Sequence, residues 1–193
     1  MGELIKEGKI RSWGISLTNE DFLRRAHAVT PVAAIQEMYN MIDRKIENMF
    51  NVLEELNIAL VVYTPLAKGF LTGRYKERPI FNHKEDNRGA RYQFIEEGFK
   101  AYQVVFDLIN QYAIEKNVTS TQISLAWMIN KKSYIIPIPG TRSYDHMKEN
   151  IESKNVVLSK EEIKAIDKAL DTMNICDSMS MRKSDPYKEA IKK

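Results

Sequence analysis

Gly140, Thr141 and Arg142 stand directly before a segment of helical spacing that carries Glu149 and Asn150. The first amides of a helix have no intrahelical acceptors, so a guanidinium beside them can share a phosphate with those N–H groups. Anion binding is the chemistry this placement offers, and a solvated arginine is the other reading of Arg142 taken alone. General acid chemistry finds less support. His27 and His146 fall in helical segments and His83 in a long loop, where a lone histidine is more often structural or solvated. Tyr39 lies near a strand end, but a phenol of ordinary pKa, near ~10, needs a neighbouring cation to donate a proton at neutral pH, and no spacing supplies one. Cys176 is the only cysteine, which excludes an internal disulfide and a cysteine metal cluster and leaves a buried or tail thiol. Glu54 and Glu55 read as a solvated helix face, and no spacing suggests a metal site. No catalytic residue and no metal ligand is assigned.

A net charge of +3 on 193 residues, with 44% hydrophobic and 28% charged residues, describes an ordinary globular chain that favours anionic ligands without the clustered basic face of a nucleic-acid binder. No apolar run approaches the ~20 residues of a membrane span, the N-terminus lacks a signal peptide's apolar core, and Lys6 stands where a myristoylation pattern wants Ser or Thr. Together with the single cysteine these features place the expected location in the cytoplasm.

Short apolar runs alternate with helical periodicity along the chain, which predicts an α/β fold with parallel strands. The runs are 12–16, 32–38, 58–63 and 134–138. The third is continuous and β-branched, as for a parallel strand covered on both faces. Helices are expected after each run. Thr18 with Asp21 opens the first; Ile46, Met49, Phe50, Leu53 and Leu56 mark the second, with Asn57 as its C-terminal cap. Phe99, Tyr102, Phe106, Ile109 and Ala113 mark a third. Thr119 with Gln122 and Ser159 with Glu162 form capping-box patterns, and Ser143 can cap the helix toward Ile151. Residues 67–97 exceed an ordinary connection and are expected to be a lid or a partly mobile loop. Four such units make half of an eight-stranded barrel, leaving two unpaired sheet edges and one uncovered face, and so an expectation of self-association.

Four motifs fall in this order: Gly8-Lys9-Ile10-Arg11-Ser12-Trp13-Gly14-Ile15-Ser16; Ala34-Ile35-Gln36-Glu37-Met38-Tyr39-Asn40; Tyr63-Thr64-Pro65-Leu66-Ala67-Lys68-Gly69-Phe70-Leu71-Thr72-Gly73; and Pro137-Ile138-Pro139-Gly140-Thr141-Arg142 followed by Glu149-Asn150. Jointly they resemble strands five to eight of aldo-keto reductases, over nearly the whole chain to about Leu170. The resemblance implies a partial (β/α)8 TIM barrel of about four C-terminal βα units at 1–171, with a tail at 172–193. It implies NADP as cofactor, and the reduction of aldehydes and ketones as activity.

By the same resemblance, Ser16 and Gln36 hydrogen-bond the nicotinamide carboxamide and Tyr63 stacks on its ring. Thr64, Pro65, Leu66, Lys68 and Gly69 match the pyrophosphate loop, where exposed amides and a cation suit two phosphate charges. Gly140, Thr141, Arg142, Glu149 and Asn150 match the region that holds the 2'-phosphate and adenine. Two departures weaken the match: Leu17 where many relatives have Asn, and Ile138 where some branches carry a phosphate-binding Lys. The family's catalytic Asp, Tyr, Lys and His belong to strands that would precede Met1, so no residue here matches them. The expectation is an apparently truncated reductase taking a small carbonyl substrate only if completed. The alternative is a non-catalytic cofactor-binding or self-assembling half-barrel; neither nucleic acid nor membrane is an expected partner.

Overall fold

In the computed structural model the described residues are 1–82 and 86–173. Four parallel strands, β1 (Gly14–Ser16), β2 (Ala34–Met38), β3 (Ala59–Tyr63) and β4 (Ile135–Pro137), lie side by side in chain order. Parallel neighbours cannot be joined by tight turns, so each step requires a crossover. Helix α1 (Gly2–Lys6), which the sequence reading did not anticipate, precedes β1; α2 (Glu20–Val29) joins β1 to β2; a 3-10 turn (Lys45–Met49) running into α3 (Phe50–Glu55) joins β2 to β3. The longest crossover, from β3 to β4, contains α4 (Glu96–Ala101), α5 (Gln103–Lys116) and α6 (Ser120–Lys131). After β4 come α7 (Tyr144–Glu152) and α8 (Lys160–Thr172).

The four strands fall within the expected runs, trimmed at their ends. Alternation sorts their side chains: Ile35, Leu60, Val62 and Ile135 are buried on one face, whereas Ser16, Gln36 and Ile136 are exposed and Val61 and Tyr63 half-buried on the other. Coverage of β3 on both faces is therefore not what the structure shows; its helix-side residues alone are fully buried. The core between sheet and helices is built from Leu23, Leu53, Leu60, Ile123, Trp127 and Ile166 with their neighbours.

Local signals account for most helix ends. Thr119 with Gln122 and Ser159 with Glu162 form complete capping boxes, and Ser143 accepts from the His146 amide. Asn57 is left-handed (φ 53) just past the Leu56 cap, with its own amide on Glu54 O and that of Ile58 on Leu53 O, so the second helix stops as expected. The first helix start is a correction. Asn19, not Thr18, is the cap, its side chain accepting from Phe22 N at 2.9 Å, because the Thr18 amide is drawn across to Glu37 at 2.8 Å. A second correction concerns the third helix, which breaks at Tyr102 into α4 and α5.

The described part of 67–97 is not an open loop. It folds into three 3-10 turns around Phe70, whose ring meets those of Phe94, Phe99, Tyr102 and Phe106 at 4.5–6.0 Å, while Tyr75 and Phe81 pack on Phe94. Aromatic pairs of this kind contribute about 0.5–1.5 kcal/mol beyond their buried area. His83, Cys176 and most of the expected tail lie outside the described residues.

The edge strand β4 has an asymmetric hydrogen-bonding pattern. Tyr134 O accepts from Leu60 N and Ile138 N donates to Val62 O, so residues 134, 136 and 138 face β3 and residues 135 and 137 face outward. Of those two, Ile135 N is bonded to Lys132 O and Pro137 has no N–H.

Candidate cofactor-binding cleft

Residues at the C-terminal ends of β3 and β4 enclose a cleft of about 370 Å³ lined by Thr64, Pro65, Leu66, Lys68, Gly69, Thr72, Arg74, Arg88, Thr121, Ile138, Pro139, Gly140, Thr141, His146 and Asn150. Eight of the thirteen residues singled out in the sequence meet here: Thr64, Pro65, Leu66, Lys68, Gly69, Gly140, Thr141 and Asn150. One wall is the turn after β3, the other the approach to the α7 N-terminus. Glu149 reaches the cleft through Arg74, which it pairs at 3.1 Å.

The backbone of the first wall is unusual. Thr64, Ala67 and Lys68 all have positive φ (54, 49 and 61), followed by Gly69 at 91. Each non-glycine residue in this region costs about 1–2 kcal/mol, and such outliers cluster where a chain is shaped for function. Buried Asn40 braces the turn by donating to Thr64 O at 3.1 Å while accepting from Ile42 N. The expectation of exposed amides along this turn needs correction, because those of Ala67 and Gly69 are bonded internally to Thr64 O and Leu66 O. Its offer to an anion is thus chiefly the Lys68 ammonium.

Lys68 makes no hydrogen bond or ion pair among the described residues. Partial burial and the repulsion of Arg91 hold its pKa below the ordinary lysine value. Arg88 is bonded to Asp86 and to Tyr75 Oη, and Asp86 is pulled down to about 2 by the Arg88 side chain and amide. Thr121, in the α6 wall, is 1% exposed and its Oγ1 has no hydrogen-bond partner among the described residues. Across the cleft Ser143 N donates to Thr141 Oγ1 at 3.1 Å. Arg142 stands exposed outside the lining, without a hydrogen bond or ion pair among the described residues.

Ser16, Gln36 and Tyr63 lie apart from this cleft but on one face of the sheet. Ser16 pairs in register with Gln36, and Met38 with Tyr63, which places Tyr63 about 7 Å further along the strands. The Ser16 hydroxyl donates to Gln36 O at 2.8 Å, so its proton is already engaged. Tyr63 also borders a wider hollow of about 500 Å³ with Leu17, Glu37, Asp43 and Arg91. Burial raises the Glu37 pKa despite amide bonds from Thr18 and Leu17, and burial with the nearby Glu37 and Asp43 charges raises that of Tyr63.

Sequence reasoning missed Arg74, Arg88, Thr121 and His146 as cleft residues. Nothing in their spacing marks them, because Arg74, Arg88 and Thr121 come from separate parts of the β3–β4 crossover and His146 from α7 beyond β4. Tyr39 is settled by its surroundings. Fully buried, it donates to Glu47 at 2.6 Å, and burial plus that carboxylate push its pKa well up, outweighing the opposite pull of the Arg44 charge. Among the described residues no cluster of His, Cys, Asp and Glu could hold a metal, and no helix is long and apolar enough to cross a membrane.

The aldo/keto reductase family profile matches residues 1–171. Aldo-keto reductase str7 of Strobilurus tenacellus is 34% identical over 179 residues, covering 91% of this chain and 53% of its own length. Aldo-keto reductase yakc of Schizosaccharomyces pombe, whose name specifies NADP(+), is 36% identical, covering 89% and 51%. The chain thus spans about half the length of the curated relatives it matches. Among solved structures, the glycerol dehydrogenase AKR11B4 of Gluconobacter oxydans superposes with a TM-score of 0.82 at 24% identity over 94% of this chain and 54% of that one, a likeness of fold. An aldo/keto reductase from Klebsiella pneumoniae in complex with NADP and acetate gives 0.62 at 27% identity over 87% and 51%. The parallel sheet, the four motifs at its strand ends and these matches agree: the chain belongs to the aldo/keto reductase family.

Proposed function

We propose that this chain supplies the cofactor side of an NADP-dependent carbonyl reductase, with the phosphates in the Lys68 cleft and the nicotinamide on the Ser16, Gln36 and Tyr63 face. The observation that carries this reading is the charge of the cleft. Lys68, Arg74 and Arg88 converge on it, Lys68 has no ion-pair partner among the described residues, and Thr121 Oγ1, likewise without a hydrogen-bond partner among them, lies in the same wall. These residues fit a pyrophosphate. Gly140 adds room, since a Cβ there would meet nothing within 4 Å. Glu149 and Asn150 on α7 would face the adenine, and Arg142, free at the N-terminal end of α7, would reach the 2'-phosphate. When bound, the cofactor supplies a hydride from nicotinamide C4; the chain's own part is to hold the ring face and neutralise the phosphates.

The proton donor for a carbonyl substrate is proposed to lie outside residues 1–193, in keeping with a reductase of which this is the C-terminal half. In support, Tyr39 is bonded to a carboxylate, and Tyr63 is held above its ordinary pKa by burial and acidic neighbours. Fluorescence titration with NADPH, followed by NADPH oxidation with a reactive aldehyde, tests both statements. Binding without turnover is expected. Absence of binding would remove the cofactor reading, and turnover abolished by a substitution within this chain would remove the second.

The reading of a self-associating half-barrel is favoured by one observation. Ile136 and Ile138 are 50% and 46% exposed on the sheet side that no helix among the described residues covers. Sedimentation at micromolar concentration decides it, and a monomer with cooperative unfolding would exclude it.

A further inference from the structure

Thr121 is the second residue of α6 and lines the Lys68 cleft, yet it is buried and its Oγ1 has no hydrogen-bond partner among the described residues. A threonine inside a helix can return its hydroxyl proton to the carbonyl three or four positions back. At the start of α6 that outlet is lost, because residues 117 and 118 precede the helix and Asn117 is the left-handed cap of α5 (φ 53). A buried hydroxyl without a partner destabilises the free protein, and the cleft is the space from which a partner can come.

The helix end itself offers more donors of the same kind. Thr119 Oγ1 accepts from the Gln122 amide and Gln122 Oε1 from the Thr119 amide, whereas the Ser120 and Thr121 amides, in the first turn, have no intrahelical acceptor. The turn that carries Lys68 is fixed against this end. Ser124 Oγ shares its proton between Leu71 O and Ser120 O, both at 2.9 Å, and a Cβ on Gly73 would stand 2.7 Å from Ser120 Oγ, so only glycine lets the turn come this close.

We infer that the N-terminal end of α6 is a second anion-binding helix end in this cleft, besides that of α7, and that Thr121 is its specific contact: the hydroxyl donates to an oxygen of the singly charged phosphates of a pyrophosphate. The inference rests on the reading of the cleft as the pyrophosphate site. Lys68, Arg74 and Arg88 carry donors only, so an occupant that suits them brings acceptors. A hydroxyl can give or take, and toward such an occupant it gives. The positive end of the α6 dipole favours the same charge. One consequence separates this role from a structural one. The ligand satisfies a hydroxyl that the free fold leaves unpaired, so removing the hydroxyl should weaken binding without weakening the fold.

Two variants of the full chain test this. Thr121→Val keeps the branched shape and removes the hydroxyl, and Thr121→Ser keeps the hydroxyl. Each is titrated calorimetrically with NADPH, NADH and inorganic pyrophosphate, and unfolded in urea without ligand. The expected result for Thr121→Val is a loss of roughly tenfold in affinity, by the same factor for NADPH and NADH because they share the pyrophosphate. Its urea midpoint should equal or exceed that of the unsubstituted chain, and Thr121→Ser should keep most of the affinity. Unchanged binding by Thr121→Val overturns the inference and leaves the cofactor reading intact. A lower urea midpoint for Thr121→Val overturns it too, by making the hydroxyl a bond of the free fold, and so does a loss confined to NADPH, which would move the contact to the 2'-phosphate. If NADPH does not bind the unsubstituted chain, the cofactor reading fails and inorganic pyrophosphate decides the role of Thr121. A loss in Thr121→Val that serine restores then supports the inference, and equal binding or none overturns it.

Discussion

Two regions of the molecule gather the same side-chain types to opposite ends. Behind the sheet, Lys131 bridges Glu47 at 2.6 Å and Asp167 at 2.9 Å, Arg44 grips Glu47 with two nitrogens and reaches Asp171, and Tyr39 and Trp127 complete the acceptors of Glu47 and Asp167. Every cation there has its carboxylate. In the Lys68 cleft the cation nearest the strand ends has no ion-pair partner among the described residues, and its backbone is left-handed. The half-buried network is closed and ties the 3-10 turn Lys45–Met49 to α6 and α8. The cleft is left with an unbalanced charge on a strained turn. Paired charges mark where a chain is braced, and unpaired ones mark where it is open to a ligand.

The largest expected effect breaks the first region. Lys131→Ala should lower unfolding free energy by about 2–3 kcal/mol, because it removes the cation shared by two half-buried carboxylates, and urea unfolding would read this directly. A loss below about 1 kcal/mol would show the network to be no more than a surface pair.

Next come the cleft cations. Arg142→Ala should weaken NADPH by roughly tenfold or more and NADH little, since a charge-assisted contact contributes about 1.5–3 kcal/mol. Lys68→Ala should weaken both cofactors alike, as expected of a pyrophosphate contact. Fluorescence titration of both cofactors against both variants separates the roles, and equal losses for Arg142→Ala would move it to the shared phosphates.

Acid gives a smaller effect. Burial alone would raise the Glu47 pKa, but hydrogen bonds from Arg44, Lys131 and Tyr39 outweigh it and hold the carboxyl below its ordinary 4.5. A folded-state value below the unfolded one contributes stability that is present above pH 4.5 and lost as pH falls through the folded value. The stability gap between wild type and Glu47→Gln should therefore narrow below pH 4.5, which urea midpoints at pH 7 and pH 4 would show. The smallest expected effect is on the stability of Lys68→Gly. Relief of a left-handed side chain worth about 1 kcal/mol offsets the added glycine freedom, so stability should hold or rise slightly while affinity falls. A clear loss of stability would mean that Lys68 braces the turn.

How far the sequence could be read follows from which forces are local. The capping boxes at Thr119 and Ser159 and the left-handed Asn57 were legible because each is settled within a few residues. The first helix start was misread because Thr18 is claimed by Glu37, nineteen residues on. The cover built around Phe70 was invisible because Phe70, Tyr75, Phe81 and Phe94 are spaced without period and meet the periodic Phe99, Tyr102 and Phe106 only after the chain has folded back. At the site, the turn after β3 and the approach to α7 could be named from their motifs. Arg74 and His146 could not, since what pairs them is a contact seventy-two positions apart in sequence.

The outward side of β4 leads to a rule of self-avoidance. Residues 135 and 137 turn only carbonyls to the outside, because the one amide is engaged by Lys132 and the proline has none. A neighbouring strand can give protons to this border but cannot receive any. Two copies of the chain laid border to border along β4 would face acceptor with acceptor, so that stacking is closed to them whatever their concentration. Growth of the sheet at this side is possible only for a strand of unlike polarity, one that arrives with free N–H groups.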